Sequence, residues 1–238
     1  MLRTFRYVAN MDSLCGLAIV STASSLRAPV LRDFLQRYTS YRVFFGVSMV
    51  RPFSTSGPSK LIMGIKSFGF ALEFHLPYYA LRQGSVRQID PRGLRRCADF
   101  IPDRLSPDAS EYLYEAQISV VVTGIDEWFW TAYCCTDTHF GSEESVQYYH
   151  ENGLDAPTGG EKSTDYPIWN PREYFLVVLS CRVKQTTKEW GNVINTLETR
   201  LKYHVENPFY SFNKLALTLI GRKYFQQINP RYFTHRRR

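Results

Sequence analysis

Two alternating runs within residues 112–135 constrain the fold more than any other feature of the sequence. Apolar side chains occupy every second position from Tyr112 to Val122, and alternation resumes at Trp128. A side-chain period of two is typical of a β-strand with one buried face. The intervening residues 123–127 include a glycine and two acidic residues, which favours a turn. The sequence therefore predicts an antiparallel hairpin.

Residues 68–76 alternate in the same way, and Pro77 is expected to end that strand or to restrict it to a sheet edge. A helix is predicted over residues 170–206, because Asn170 is a good N-cap before Pro171 and apolar residues then recur every three or four positions. At a rise of about 1.5 Å per residue this helix would be roughly 50 Å long, more than a small sheet covers. Part of it is therefore expected to bend, break or contact a partner.

These elements predict an α+β fold, with an antiparallel sheet and a long C-terminal amphipathic helix packed against it. One variant of this prediction is a PH-like small sandwich closed by the helix. The globular domain is expected to span residues 61–206, between an N-terminal segment of residues 1–60 and a tail of residues 207–238.

The basic residues are concentrated at the two ends of the chain. Residues 1–60 hold eight basic and two acidic residues, residues 61–206 hold fourteen and twenty, and residues 207–238 hold seven and none. A nucleic-acid-binding module usually has its basic surface on the folded domain. Because the predicted domain is acidic, nucleic acid is not expected as its main partner.

Residues 1–60 are rich in arginine and serine, which is the composition of a mitochondrial presequence. Arg51, Phe53 and Ser56 have the spacing of a mitochondrial processing signal. A disordered N-terminus and a secretory signal around residues 14–20 are the alternatives. The basic tail is expected to be solvated, with RNA or an anionic membrane as its alternative contacts. The predicted location is cytoplasmic or mitochondrial.

Four stretches, residues 74–82, 112–119, 126–134 and 170–175, resemble a family of uncharacterised fungal proteins. Some members of that family are labelled CorA-like magnesium transporters. The resemblance implies a soluble region that leads through a long helix into membrane spans. The Gly-Met-Asn signature of CorA transporters does not occur in this sequence, so the resemblance carries over neither transport nor functional residues.

Cys135 and His139 are the candidate catalytic residues, since a cysteine beside a histidine can form a thiolate nucleophile. On a strand they would share one face. The aromatic surroundings favour the opposite interpretation, in which Cys135 is a small buried apolar residue. No metal or cofactor is predicted, because the sequence has no Cys-x-x-Cys pair, no Gly-rich phosphate loop and no calcium-loop pattern in its acidic residues 141–169.

The function predicted from these features is a non-enzymatic interaction or regulatory domain that serves as the soluble part of a CorA-like membrane protein. Its protein partner is expected to bind the 170–206 helix through Trp190, Ile194, Leu197 and Leu201. The alternatives are a mitochondrial matrix protein associated with RNA or ribosomes, and a cysteine-dependent hydrolase. No run approaches the roughly 20 apolar residues of a membrane span, so membrane association is expected only in a longer form.

Overall fold

The computed structural model describes residues 2–24, 27–50, 69–100 and 110–206. The chain divides into two compact units, Met1–Val193 and Ile194–Arg238. The strands are β1 (Leu2–Ala9), β2 (Phe44–Val50), β3 (Gly69–Gly84), β4 (Cys97–Asp99), β5 (Ser110–Gly124) and β6 (Phe129–Thr136). The helices are α1 (Ser13–Ser21), α2 (Ala28–Thr39), α3 (Val146–Glu151) and α4 (Pro171–Glu206), and a 3₁₀ turn covers Ala156–Thr158.

The six strands form one sheet in the order β1-β6-β5-β3-β2, with β4 beside β5. Only β1 and β6 run parallel among these strands; the other neighbours are antiparallel. The predicted hairpin is confirmed as β5 and β6, with Val120 opposite Cys134. Its turn is closed by Asp126, whose Oδ1 accepts hydrogen bonds from the backbone N–H groups of Trp128 and Phe129, each at 2.8 Å.

The sheet is buried on both faces. The even-numbered residues of β3 and β5 form a core with Tyr174, Phe175 and Val178 of α4. On the opposite face, Val121 and Cys135 pack with Leu31 and Phe34 of the α1–α2 layer. The predicted α+β fold, an antiparallel sheet with a long C-terminal helix, is confirmed. The PH-like small sandwich is not confirmed, because the described strands form one sheet.

The described residues 2–24 and 27–50 are part of the fold, which differs from the prediction that residues 1–60 are a leader or disordered. β1 pairs with β6, β2 pairs with β3, and α1 and α2 cover one face of the sheet. Two arginines of this segment bind groups on the sheet: Arg27 binds the Thr131 hydroxyl and Arg37 binds the Glu73 carboxylate. Composition could not distinguish these arginines from those of a presequence. Arg51, Phe53, Ser56 and the tail 207–238 lie outside the described residues.

β3 continues through Pro77 to Gly84, beyond the end that the sequence predicted. The ladder between β2 and β3 stops where Phe44 pairs with His75, whereas the ladder between β3 and β5 continues to the end of β3. Pro77 therefore lies where β3 has become an edge strand, the position in a sheet that tolerates proline.

α4 begins where the sequence predicts, because Asn170 Oδ1 accepts hydrogen bonds from the backbone N–H groups of Arg172 and Glu173. In the first unit, the helix follows β3. The Phe175 ring lies 5.6 Å from the ring of Phe74. Farther along the helix, two turns after Arg182, Glu189 binds Arg82 through two hydrogen bonds of 2.8 and 2.6 Å. Along the described residues, no helix combines the length and hydropathy that a membrane span requires.

Candidate functional site

A row of polar side chains crosses the sheet face that α2 covers. Alternation along the strands places Glu73 and His75 of β3 on this face, together with Gln117 and Ser119 of β5. His75 pairs with Ser119 across the two strands. Four polar residues in a sheet interior require internal hydrogen bonds, because unpaired buried polar groups are costly.

The hydrogen bonds of this row form a Ser-His-carboxylate sequence. Ser119 Oγ lies 2.7 Å from His75 Nδ1, and His75 Nε2 lies 2.6 Å from Glu73 Oε1. The Gln117 amide donates to Nδ1 at 3.1 Å, so Nδ1 is an acceptor and Nε2 carries the proton. Burial lowers the pKa of His75, which keeps the ring neutral at pH 7. Arg37 then neutralises Glu73, its Nη1 lying 2.8 Å from both carboxylate oxygens.

Solvent does not reach the two residues that would do chemistry in this row. Ser119 and His75 are completely buried. The Phe34 ring of α2 lies 5.2 Å from the imidazole, and the Phe44 ring of β2 lies 6.2 Å from it. A groove of about 300 Å³ between α2 and β2 reaches only Glu73 at the end of the row. The arrangement therefore binds strands to each other, and a substrate has no access to Ser119.

A second buried cluster surrounds Asp137, the first residue after β6. Its carboxylate accepts hydrogen bonds from Arg92 Nη2 at 2.9 Å, Arg95 Nε at 2.5 Å and the backbone N–H of Gln117 at 2.9 Å. The Tyr38 hydroxyl of α2 also donates to it. Asp137 thus holds the segment after β3 and the end of α2 against the sheet. Sequence reasoning missed both arginines, since they lie more than 40 positions before their partner.

A third cluster fixes the acidic segment 141–169 to α4. Arg182 is completely buried; its Nε donates to the Pro157 carbonyl at 2.7 Å, its Nη2 donates to the Ala156 carbonyl at 2.7 Å, and its Nη1 binds Glu143. The Tyr7 hydroxyl donates to the same carboxylate at 2.7 Å. A cavity of about 440 Å³ opens beside this cluster. Within the described ranges, no group of three or more His, Cys, Asp or Glu side chains has an arrangement that could hold a metal ion.

The structure separates the two candidate catalytic residues. Cys135 is buried on the α1–α2 side with its Sγ 3.6 Å from Met11 Sδ, and burial raises the pKa of this thiol well above its usual value. The His139 ring instead packs against the rings of Phe140 and Tyr114. A nucleophilic cysteine requires a lowered pKa and a base within hydrogen-bonding distance, so this geometry does not support a catalytic pair.

Of the predicted contact residues on α4, Trp190 lies in the first unit and is 40% exposed. Leu176 and Val183, which the sequence analysis did not single out, are 59% and 42% exposed, although they directly follow the buried Phe175 and Arg182. The Trp190 indole makes an edge contact with the ring of Tyr79, with centroids 5.4 Å apart. In the second unit, Ile194 and Leu201 are exposed and Leu197 is half-buried.

No family model, curated protein or solved structure matches the chain. The resemblance to the CorA-like fungal family therefore stays a prediction.

Proposed function

We propose that the chain is a non-enzymatic interaction domain that binds a helical protein partner through the exposed apolar stripe of α4. The observation that carries the proposal is the exposure of Leu176, Val183 and Trp190, three large apolar side chains spaced seven residues apart on one helix. A seven-residue apolar repeat is the pattern through which helices pack side by side.

The two faces of α4 support this proposal. Phe175 and Val178 fill the sheet core, so the helix is already anchored without the stripe. In sequence, the seven-residue spacing continues from Trp190 to Leu197, and Ile194 and Leu201 each follow four positions later. Apolar residues at such spacings of three and four are typical of a helix that packs against a second helix.

The interior supports a non-enzymatic role. The Ser119–His75–Glu73 row is enclosed, and Asp137 and Glu143 are saturated by arginines. Groups with such partners are held in one geometry, which suits a rigid scaffold. As the soluble part of a CorA-like membrane protein, this scaffold would present α4 to a neighbouring helix of the assembly, and that wider proposal rests on the sequence resemblance.

Site-specific photo-crosslinking tests the proposal. A benzophenone amino acid replaces Val183 in the full chain, which is then irradiated in its native cells. A discrete adduct is expected, with a yield that falls at least about tenfold when Leu176→Glu places a charge on the same face. Lys188 is exposed but lies about 140° around the helix, so the same probe there is the matched control. Equal yields at the two positions would contradict the proposal.

A further inference from the structure

Of the strands that the structure describes, β2 forms one edge of the sheet, and its sequence lacks the charged residues and the proline that usually protect an edge. Among the described residues it pairs only with β3. Edge strands are normally blunted by charged side chains, proline or a bulge, because their unpaired N–H and C=O groups are a template for another strand. Phe44–Val50 contains no charge and no proline, whereas the opposite edge strand β1 contains Arg3 and Arg6.

The exposed side chains of β2 are apolar. Phe45 and Val47 are 59% and 50% exposed, and both point to the face of the sheet on which α4 lies, since the Phe45 ring is 6.0 Å from the Phe175 ring. The exposed Leu176 follows Phe175 directly. Within the described part of the chain, a backbone edge with a partner strand on one side only thus adjoins an apolar surface, which is the combination that strand addition uses for affinity.

We propose that β2 pairs antiparallel with β2 of a second copy of this chain, so that the two sheets continue as one across a two-fold axis. The strand is complementary to itself in that orientation. An axis at Gly46 places Phe45 of one copy opposite Val47 of the other, twice, and aromatic–β-branched pairs of this kind stabilise antiparallel ladders. No like charges meet, because residues 43–50 are uncharged.

Gly46 suits the centre of such an interface. A Cβ added there would lie 2.4 Å from an atom of the Phe44 ring, so the glycine allows that ring to lie flat along the α2 face. The Phe44 ring in turn lies 3.9 Å beneath the Arg37 guanidinium. The α2 face is therefore occupied by groups of the same chain, and the apolar α4 face and the strand edge are left for the second copy.

Sedimentation velocity of the purified full chain over a concentration series tests this proposal. The expected species has twice the 27.7 kDa mass of the chain. The double variant Phe45→Lys/Val47→Lys places ammonium groups opposite each other on both sides of the axis, and it is expected to weaken the dimer at least about a hundredfold. The matched control Val86→Lys/Ile89→Lys changes two apolar residues that lie outside the strands and are more exposed than Phe45 and Val47, and it should leave the dimer intact.

A charge-swap experiment distinguishes strand pairing from other dimers. Phe45→Lys/Val47→Lys and Phe45→Glu/Val47→Glu should each be monomeric alone and should form a heterodimer when mixed. The variant Trp190→Glu should still form the dimer. If this variant is a monomer, the dimer forms through α4, and the proposal of β2 pairing is overturned. A monomeric wild type, or a dimer that survives the lysine substitutions, would also overturn it while leaving the α4 proposal untouched.

Hydrogen exchange on the wild-type chain tests β2 pairing even if the β2 variants fail to fold. The amides of residues 44–50 should become more protected as the protein concentration rises, because pairing occupies the open edge. Protection that is independent of concentration would overturn the proposal.

Discussion

Ser119 Oγ and His75 Nδ1 are 2.7 Å apart, and neither side chain is accessible to solvent. Their hydrogen bond has the donor, acceptor and carboxylate order of a hydrolytic triad, yet it joins two neighbouring strands beneath a helix. Burial and access, rather than the order of the hydrogen bonds, decide what these residues do.

Ser119→Ala is expected to lower the free energy of unfolding by about 1 kcal/mol, because it removes a buried hydroxyl that bonds both His75 and the Gln117 amide. Urea denaturation of the two proteins measures the difference. Ser180→Ala, on the exposed face of α4, is the control and should change stability little. An unchanged midpoint for Ser119→Ala would show that the polar row does not stabilise the sheet.

Asp137→Asn is expected to cost about 3–5 kcal/mol, because it leaves Arg92 and Arg95 buried without their shared counter-charge. Asp33→Asn removes a carboxylate from an exposed ion pair with Arg32 and should cost less than about 1 kcal/mol. Guanidinium denaturation of both variants compares the two losses. Similar small losses would mean that the buried cluster contributes no more than a surface pair.

Stability should fall as the pH drops below about 6.5. Burial lowers the pKa of both His75 and His139, so below that pH the unfolded chain binds protons that the folded chain does not. Each histidine then contributes a slope of at most about 1.4 kcal/mol per pH unit until its folded pKa is reached. Denaturation at pH 7.5, 6.5 and 5.5 measures this loss, and His75→Gln should reduce the slope. A slope that His75→Gln leaves unchanged would contradict the assignment to this ring.

Cys135 should react with iodoacetamide at pH 7.5 at least about a hundredfold more slowly than the exposed Cys15, because its thiol is enclosed and its pKa is raised. Peptide mapping after timed labelling gives both rates. His139→Ala should leave the Cys135 rate unchanged, since the ring makes its contacts with Tyr114 and Phe140. Rapid labelling that depends on His139 would restore the cysteine-hydrolase hypothesis.

The hairpin and α4 could be predicted from the sequence because their signals are local. Alternation over residues 112–135 and the cap at Asn170 each lie within one element. β1 carried a weaker signal, since it is only eight residues long, contains Arg3 and Arg6, and lies in a segment whose arginine content resembles a presequence. Its pairing with a strand more than 120 residues away has no local signature.

The candidate site also combines features with a local sequence signal and features that depend on residues far apart in the sequence. Helical spacing put Trp190 among the predicted contact residues, but the exposure of Leu176 and Val183 was not predicted, because the sequence does not show which part of the helix the sheet covers. The polar row could not be found, because the partners His75 and Ser119 are 44 residues apart and meet only in the register of β3 and β5. The exposed edge of β2 also depends on strand order, which the sequence does not reveal.

The parallel pairing of β1 with β6 has a consequence for how the chain is made. Leu2 pairs with Phe129 and Ala9 with Thr136, so among the described strands the earliest in the sequence needs the latest as its partner. At about 5–20 residues per second, some 120 intervening residues take roughly 6–25 s to synthesise. Throughout that interval β1 lacks the strand with which it pairs, and a chaperone that binds nascent chains could cover it.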